Sequence, residues 1–149
     1  GPNRKITLYG RQPNSGTFVF FRDEVVKAEY SPAMRQMNGN AQIVEGVKAD
    51  QGGIGYVGLG YIRDIEGIRP VKLSKDGKTY VSPLQEDLLR AGKYPLTRPL
   101  FQYTNGRPKG DARKLIEFVL SPAGQRIVEA EGFLPVTQDW VEKNAARMK

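Results

Sequence analysis

Arg4-Lys5-Ile6-Thr7-Leu8-Tyr9-Gly10-Arg11-Gln12-Pro13-Asn14-Ser15-Gly16-Thr17-Phe18-Val19-Phe20-Phe21 is the stretch from which the fold can be worked outward. Residues 4–9 alternate polar and apolar side chains and are rich in β-formers, which predicts a strand that stops at Gly10. A loop through Pro13-Asn14 follows. Beyond it Phe18, Phe21, Val25 and Ala28 recur at steps of three and four, the spacing of one helix face, and Ser15 stands at the natural N-cap. A strand, a short loop and a capped helix in that order begin an α/β unit.

Downstream, Ser31-Pro32 is expected to break this helix. Residues 41–50 predict a shorter one with Ile43, Val44 and Val47 facing inward, ended by Gly52-Gly53. Residues 54–61 read as a buried strand whose glycines allow a neighbouring backbone or a ligand to come close; Tyr56 and Tyr61 on it are core residues, with Tyr56 also able to line a cleft. Lys75-Asp76-Gly77-Lys78 signals a hairpin within β-rich pieces at 63–82. Ser82-Pro83 opens a helix through Leu88 and Leu89 to Gly92, and residues 94–104 are extended around Pro95 and Pro99. After a turn at 105–109, a helix from Asp111 carries Leu115, Ile116, Val119 and Leu120, and Ser121-Pro122 restarts it with Ile127 and Val128 until Gly132. Residues 133–136 are extended, Trp140 anchors the tail, and the segment from Gln138 is a polar helix or frayed. Strands separated by helices specify an α/β fold with a mixed, mainly parallel sheet flanked by helices.

With 149 residues, 39% of them hydrophobic, the chain can enclose one sizeable core. No run approaches the roughly 20 apolar residues that span a bilayer, and no apolar signal region opens the chain. Gly1-Pro2 reads as the scar of tag removal, residues 3–137 as one lobe with a returning C-terminal helix, and 138–149 as the tail. Cysteine and histidine are both absent, which removes disulfides, thiol nucleophiles, the usual zinc ligands and the commonest general base. No metal or cofactor is expected. The net charge of +7 invites an anionic partner. Eight basic residues face seven acidic ones in 1–66, against fifteen and nine in 67–149, so the excess lies toward the C-terminus. There Lys72, Lys75, Lys78, Arg107, Lys109, Arg113 and Lys114 are scattered among Gly, Pro and acidic residues, the pattern of a solvated surface.

The sharper chemistry lies at the first helix. A helix N-terminus carries unsatisfied N–H groups and the positive end of the macrodipole, which together suit an oxyanion. At Ser15-Gly16-Thr17 two hydroxyls can donate to one anion while Gly16 lets the backbone approach it, and Arg11 adds a charged fork. Ser-Gly-Thr on its own is equally an ordinary N-cap on a surface helix.

The surrounding residues narrow the choice. Gly10-Arg11-Gln12-Pro13-Asn14-Ser15-Gly16-Thr17-Phe18 resembles the Gly-Arg-x-x-x-Ser-Gly-Thr segment of the phosphate-binding proteins of phosphate ABC importers. Gly53-Ile54-Gly55-Tyr56-Val57 resembles that family's buried strand, and Tyr94-Pro95-Leu96-Thr97-Arg98-Pro99-Leu100 its returning strand. Phe118-Val119-Leu120-Ser121-Pro122-Ala123-Gly124-Gln125 and Gly132-Phe133-Leu134-Pro135-Val136 are similar to its C-terminal helix and exit. The matches keep the family's order across nearly all of residues 4–149.

The resemblance implies the second lobe, with the C-terminal segment, of a type II periplasmic-binding fold. In that family phosphate lies dehydrated between two lobes and is delivered to an ABC importer, which implies an extracytoplasmic place and importer membrane subunits as partners. The implied phosphate ligands are the Arg11 side chain, the Ser15 hydroxyl and backbone, the Gly16 and Thr17 N–H groups and the Thr17 hydroxyl. Many members carry an acidic residue between the Arg and the Ser, able to pair with the Arg; here Gln12, Pro13 and Asn14 intervene, so Arg11 is expected to be less firmly oriented. The family's first lobe, which completes the ligand shell, is expected to be missing, leaving weak phosphate binding. The apolar stripe of residues 111–131, which would pack on the missing lobe in a whole receptor, is then expected to refold onto this lobe, to pair with a second copy of the chain or to meet a separately supplied first lobe.

Three rivals compete with this. An enzyme built on Ser15 as nucleophile lacks a histidine to activate it. A nucleic-acid module would need a stacking platform among basic residues, whereas Phe18, Phe20, Phe21, Tyr56 and Tyr61 fall at core-like spacings. An extracytoplasmic anion-sensing or protein-interaction lobe without a transport role shares the same lobe chemistry.

Overall fold

A computed structural model of the protein describes residues 3–148, so the tag-scar reading of Gly1-Pro2 lies outside the described residues. The chain divides into two compact units with the boundary between Arg69 and Pro70.

In the N-terminal unit β1 (Thr7–Arg11) is followed by α1 (Gly16–Phe21), β2 (Arg35–Met37), α2 (Asn40–Ala49) and β3 (Gly53–Gly55). The three strands form a parallel sheet in the order β2-β1-β3, with Tyr9 opposite Arg35 and Thr7 opposite Gly53. This is the α/β fold expected, with β1 at the centre.

The strand begins later than predicted and runs through Gly10 rather than stopping there. A Cβ at Gly10 would stand 2.5 Å from Met34 Sδ and 3.0 Å from Tyr56 Oη, so close packing, not termination, demands the glycine. Successive side chains of β1 serve opposite faces. Tyr9 packs toward α2, where Ile43 and Val44 are buried and Gly46 leaves room for its ring. Gly10 faces an aromatic layer: Phe18 lies 4.5 Å from Tyr30, Phe21 stacks on Tyr56 at 4.3 Å and 10°, and Tyr30 lies 6.1 Å from Tyr56.

Two expectations are corrected here, and one element is new. The first helix does not reach Ser31-Pro32: after Phe21 the chain makes one π-helical turn, Arg22–Val26, closed by Lys27 at φ 53°. Val25 and Ala28 are consequently exposed instead of lying on an inner helix face. The buried strand expected over 54–61 shrinks to Gly53–Gly55, with Ile54 exposed on an edge strand and Leu59–Tyr61 forming a 3₁₀ turn. Finally, β2 carried no visible signal in the sequence.

In the C-terminal unit the expected hairpin is one antiparallel bridge between Leu73 and Val81. Asp76 organises the turn: its carboxylate accepts from the Lys78 and Thr79 N–H groups and the Ser74 hydroxyl, each at 2.8 Å, and these bonds pull its pKa far below the ordinary carboxylate range. Ser82-Pro83 makes a turn, and α3 (Glu86–Arg90) starts only after it. Residues 94–104 lie outside any helix or strand. Two helices follow, α4 (Gly110–Leu120) and α5 (Pro122–Ala130), split where expected: Ser121 Oγ accepts from the Gly124 N–H at 3.2 Å and donates to Phe118 O at 2.6 Å. Gly132, at φ 79°, closes α5, and the Phe133 N–H reaches back to Val128 O at 3.1 Å. Gln125 ties the exit to α4 by donating to Val119 O and accepting from the Val136 N–H, both at 2.8 Å. The tail is helical as α6 (Gln138–Met148), and Trp140 meets Phe101 edge-on at 5.8 Å. Leu115 and Phe118 on α4 and Ile127 on α5 are exposed.

Candidate functional site: the loop between the first strand and the first helix

Loops that leave the carboxyl ends of parallel strands are where α/β sheets bind ligands. Two helices begin at this end, α1 after β1 and α2 after β2. Neither carries an acidic residue in its first turn, so both positive helix ends are uncompensated by side chains of their own.

The loop is drawn in tightly. The Gln12 N–H donates to Met37 O at 3.2 Å, and the Ser15 N–H donates to Gln12 O at 3.0 Å, turning the chain into α1. Ser15 is only 7% exposed and has the extended backbone of an N-cap, and its Oγ accepts from the Thr17 N–H at 3.2 Å while its carbonyl accepts from the Val19 N–H. Its capping role is as the sequence predicts. Gly16 is exposed at the mouth and Thr17 is half-buried. Of the N–H groups expected to face an anion, that of Thr17 is thus already engaged by Ser15.

Arg11 ends β1. Its backbone N–H donates to Tyr56 Oη at 3.2 Å, and its guanidinium leans toward the start of α2, with Nη1 3.5 Å from Asn40 Oδ1. The Nε is buried without a hydrogen-bond partner among the described residues. A buried donor left unpaired is costly in a native protein, which makes this atom a candidate for contact with a ligand. Sequence reasoning missed Asn40, although its position directly after Gly39 at a helix start was a signal; Tyr56 was read mainly as core.

An open cleft of about 690 Å³ lies on the α2 side, lined by Arg4, Tyr9, Arg35 and Asp50 among others. Its polar groups satisfy one another. Arg35 Nη1 donates to Tyr9 Oη at 2.9 Å, and Tyr9 Oη donates to Asp50 Oδ2 at 3.2 Å. Asp50 is held below the usual carboxylate range by the Thr7 hydroxyl and the Gly52 N–H. The donors that line this surface are already engaged by protein acceptors, Arg4 by Gln51 Oε1 and Arg35 by Tyr9 Oη, so it offers an anion less than the loop does.

A family model described as a PBP superfamily domain matches residues 1–123. The phosphate-binding protein PstS of Pseudomonas aeruginosa is 32% identical over 146 residues, covering 94% of this chain and 44% of its own length. Among solved structures, one described as a possible phosphate binding protein from Planctomyces limnophilus superposes with TM-score 0.71 at 29% identity, covering 99% of this chain and 54% of that one. A phosphate-binding protein of a phosphate ABC transporter from Streptococcus pneumoniae shares the fold, with TM-score 0.70 at 20% identity and 89% and 52% coverage. The chain therefore spans about half the length of the relatives it matches. These relatives are named for binding and transport, not catalysis, in line with the expectation of a non-enzyme. The resemblance drawn from the Arg11–Thr17 motif and its companion segments is borne out, and the chain belongs to the PBP superfamily as a relative of the phosphate-binding proteins.

Proposed function

We propose that this chain supplies one half of an extracytoplasmic receptor that grips inorganic phosphate at the N-terminus of α1 for delivery to an ABC importer. The observation that carries this is Arg11 Nε, a buried cationic donor with no partner, at the same strand end as the buried Ser15 cap. Phosphate oxygens supply the missing acceptor. The Ser15 and Thr17 hydroxyls and the Gly16 N–H complete this half of the shell, and the uncompensated helix end favours a dianion. A second lobe closes the site from the other side, and burial of the exposed Leu115, Phe118 and Ile127 against an apolar partner is favourable.

Titration of the chain with inorganic phosphate, followed by amide NMR, tests this. The signals of Ser15, Gly16 and Thr17 and the Arg11 Nε–H signal move first. Shifts confined to the Lys/Arg-rich C-terminal unit would mean nonspecific attraction and would overturn the assignment.

A further inference from the structure

We infer that Tyr56 is the positioning residue of this loop: its hydroxyl stands in for a strand carbonyl, fixes the main chain of Arg11 and so sets the aim of the guanidinium. The inference rests on the phosphate reading above for its functional consequence. It rests on geometry alone for its structural part.

In a parallel strand alternate N–H groups point to alternate neighbours. On β1 the Thr7 N–H points to the β3 side, donating to Gly52 O at 3.0 Å, whereas the Gln12 N–H points to the β2 side, donating to Met37 O. The Arg11 N–H therefore points to the β3 side. The β1–β3 ladder has ended by then, at Tyr9 opposite Gly55. No backbone carbonyl of β3 continues it, and the Arg11 N–H finds the Tyr56 hydroxyl instead, at 3.2 Å. That hydroxyl is itself held in place, because the Tyr56 ring stacks on Phe21 of α1 at 4.3 Å and lies 6.1 Å from Tyr30. Gly10 opens the path: a Cβ there would sit 3.0 Å from Tyr56 Oη.

Arg11 is held less firmly at its side-chain end. Nη1 reaches Asn40 only at 3.5 Å, and Nε has no partner. The well-made bond of this residue is thus the one to Tyr56. One aromatic ring joins the end of β1, the exit of β3 and the body of α1, the three elements that must keep their places for Arg11 and Ser15 to meet one ligand.

Tyr56→Phe deletes the hydroxyl and keeps the stack. Without phosphate, hydrogen exchange of the Arg11 amide should quicken by about tenfold or more, and with phosphate Kd should rise by about three- to tenfold, the effect of one lost hydrogen bond. In an Arg11→Ala background the same substitution should change Kd by less than about twofold, because the two act through one group. Tyr56→Leu, which also loses the stack, should bind more weakly than Tyr56→Phe. Unchanged Arg11 exchange in Tyr56→Phe, equal losses in both backgrounds, or full restoration of Tyr-like binding by Phe would each overturn the inference and leave Tyr56 a packing residue. If phosphate moves no signal at Ser15–Thr17 in the unmutated chain, the phosphate reading fails, while the exchange measurement still decides whether Tyr56 positions Arg11.

Discussion

Ser15 has two roles that one pair of substitutions can separate. Its hydroxyl caps α1 by accepting from the Thr17 N–H at 3.2 Å, and the proposed phosphate site uses the same hydroxyl as a donor. Ser15→Ala removes both. At a residue 7% exposed, loss of the cap should cost about 1 kcal/mol of stability, and phosphate binding should weaken with it. Ser15→Asp behaves differently. A carboxylate caps as well as a hydroxyl and gains about 0.3–1 kcal/mol from the helix dipole, so stability should match or exceed that of the unmutated chain. Phosphate would then meet a like charge. For one pair of unit charges about 4 Å apart at an effective dielectric near 20 the repulsion is about 4 kcal/mol, roughly three decades in Kd. Urea denaturation with and without phosphate reads both effects together, since a ligand raises the midpoint only where it binds the folded state. The expected order of stability without phosphate is Asp equal to or above Ser, then Ala, with phosphate protection clear only in the Ser protein. An Asp variant protected by phosphate as well as the unmutated chain would refute the placement of the anion at Ser15.

Gly124 lies so close to α4 that a Cβ there would stand 2.2 Å from Phe118 O and 2.6 Å from Val119 O, both backbone atoms, so Gly124→Ala should cost about 3 kcal/mol by urea denaturation; a loss below about 0.5 kcal/mol would contradict the close α4–α5 approach. Asp50, whose pKa is depressed, contributes stability that is present above its unfolded value near 3.9 and is lost as pH falls below that value and through its lower folded-state one. Tyr30, raised by burial and by Tyr56, contributes stability that is full below about pH 10 and is lost above it. Unfolding midpoints measured across pH should therefore decline at both ends, with Asp50→Asn flattening the acid limb and Tyr30→Phe the alkaline one. Calorimetry should find phosphate bound by this chain several decades more weakly than by a two-lobed relative, because each absent charge-assisted bond removes about 1.5–3 kcal/mol; submicromolar binding by the monomeric chain would show the site to be complete within it.

What could be read from the sequence was what local chemistry fixes. Ser15, Ser121-Pro122 and Gly132 each satisfy or release backbone groups within a few residues of themselves, and all three mark helix ends where predicted. The misreadings share a different cause. Arg35-Gln36-Met37 becomes β2 because Tyr9, Gly10 and Arg11 lie alongside it, a relation with no trace in three mostly polar residues. Gly10 looked like a stop and is a space reserved for Met34 and Tyr56. The period of Phe18, Phe21, Val25 and Ala28 was that of a helix, yet the π turn at Arg22–Val26 rotated the last two out to solvent. At the candidate site, the sequence singles out Arg11, Ser15, Gly16 and Thr17, which stand at the end of β1 and the start of α1. Asn40 and the hydroxyl of Tyr56 could not be joined to them in advance, because both come from distant elements that only folding brings to Arg11.

The central place of β1 bears on the order in which the N-terminal unit can assemble. Both neighbours of that strand come later in the chain: Tyr9 waits for Arg35, and Thr7 waits for Gly53. Closing such long loops costs entropy before any contact compensates it, and topologies dominated by distant pairings fold slowly. The α4–α5 pair, by contrast, forms between adjacent segments. β1 can gain β2 as a neighbour once residues 35–37 have followed it, but its other side stays unpaired until Gly53–Gly55 has followed, so the central strand is among the last elements of its unit to be completed. The loop that Arg11 begins could not assume its shape before Tyr56 had been synthesised, and pulse-labelled hydrogen exchange during refolding should find Arg11 protected later than the amides of α5.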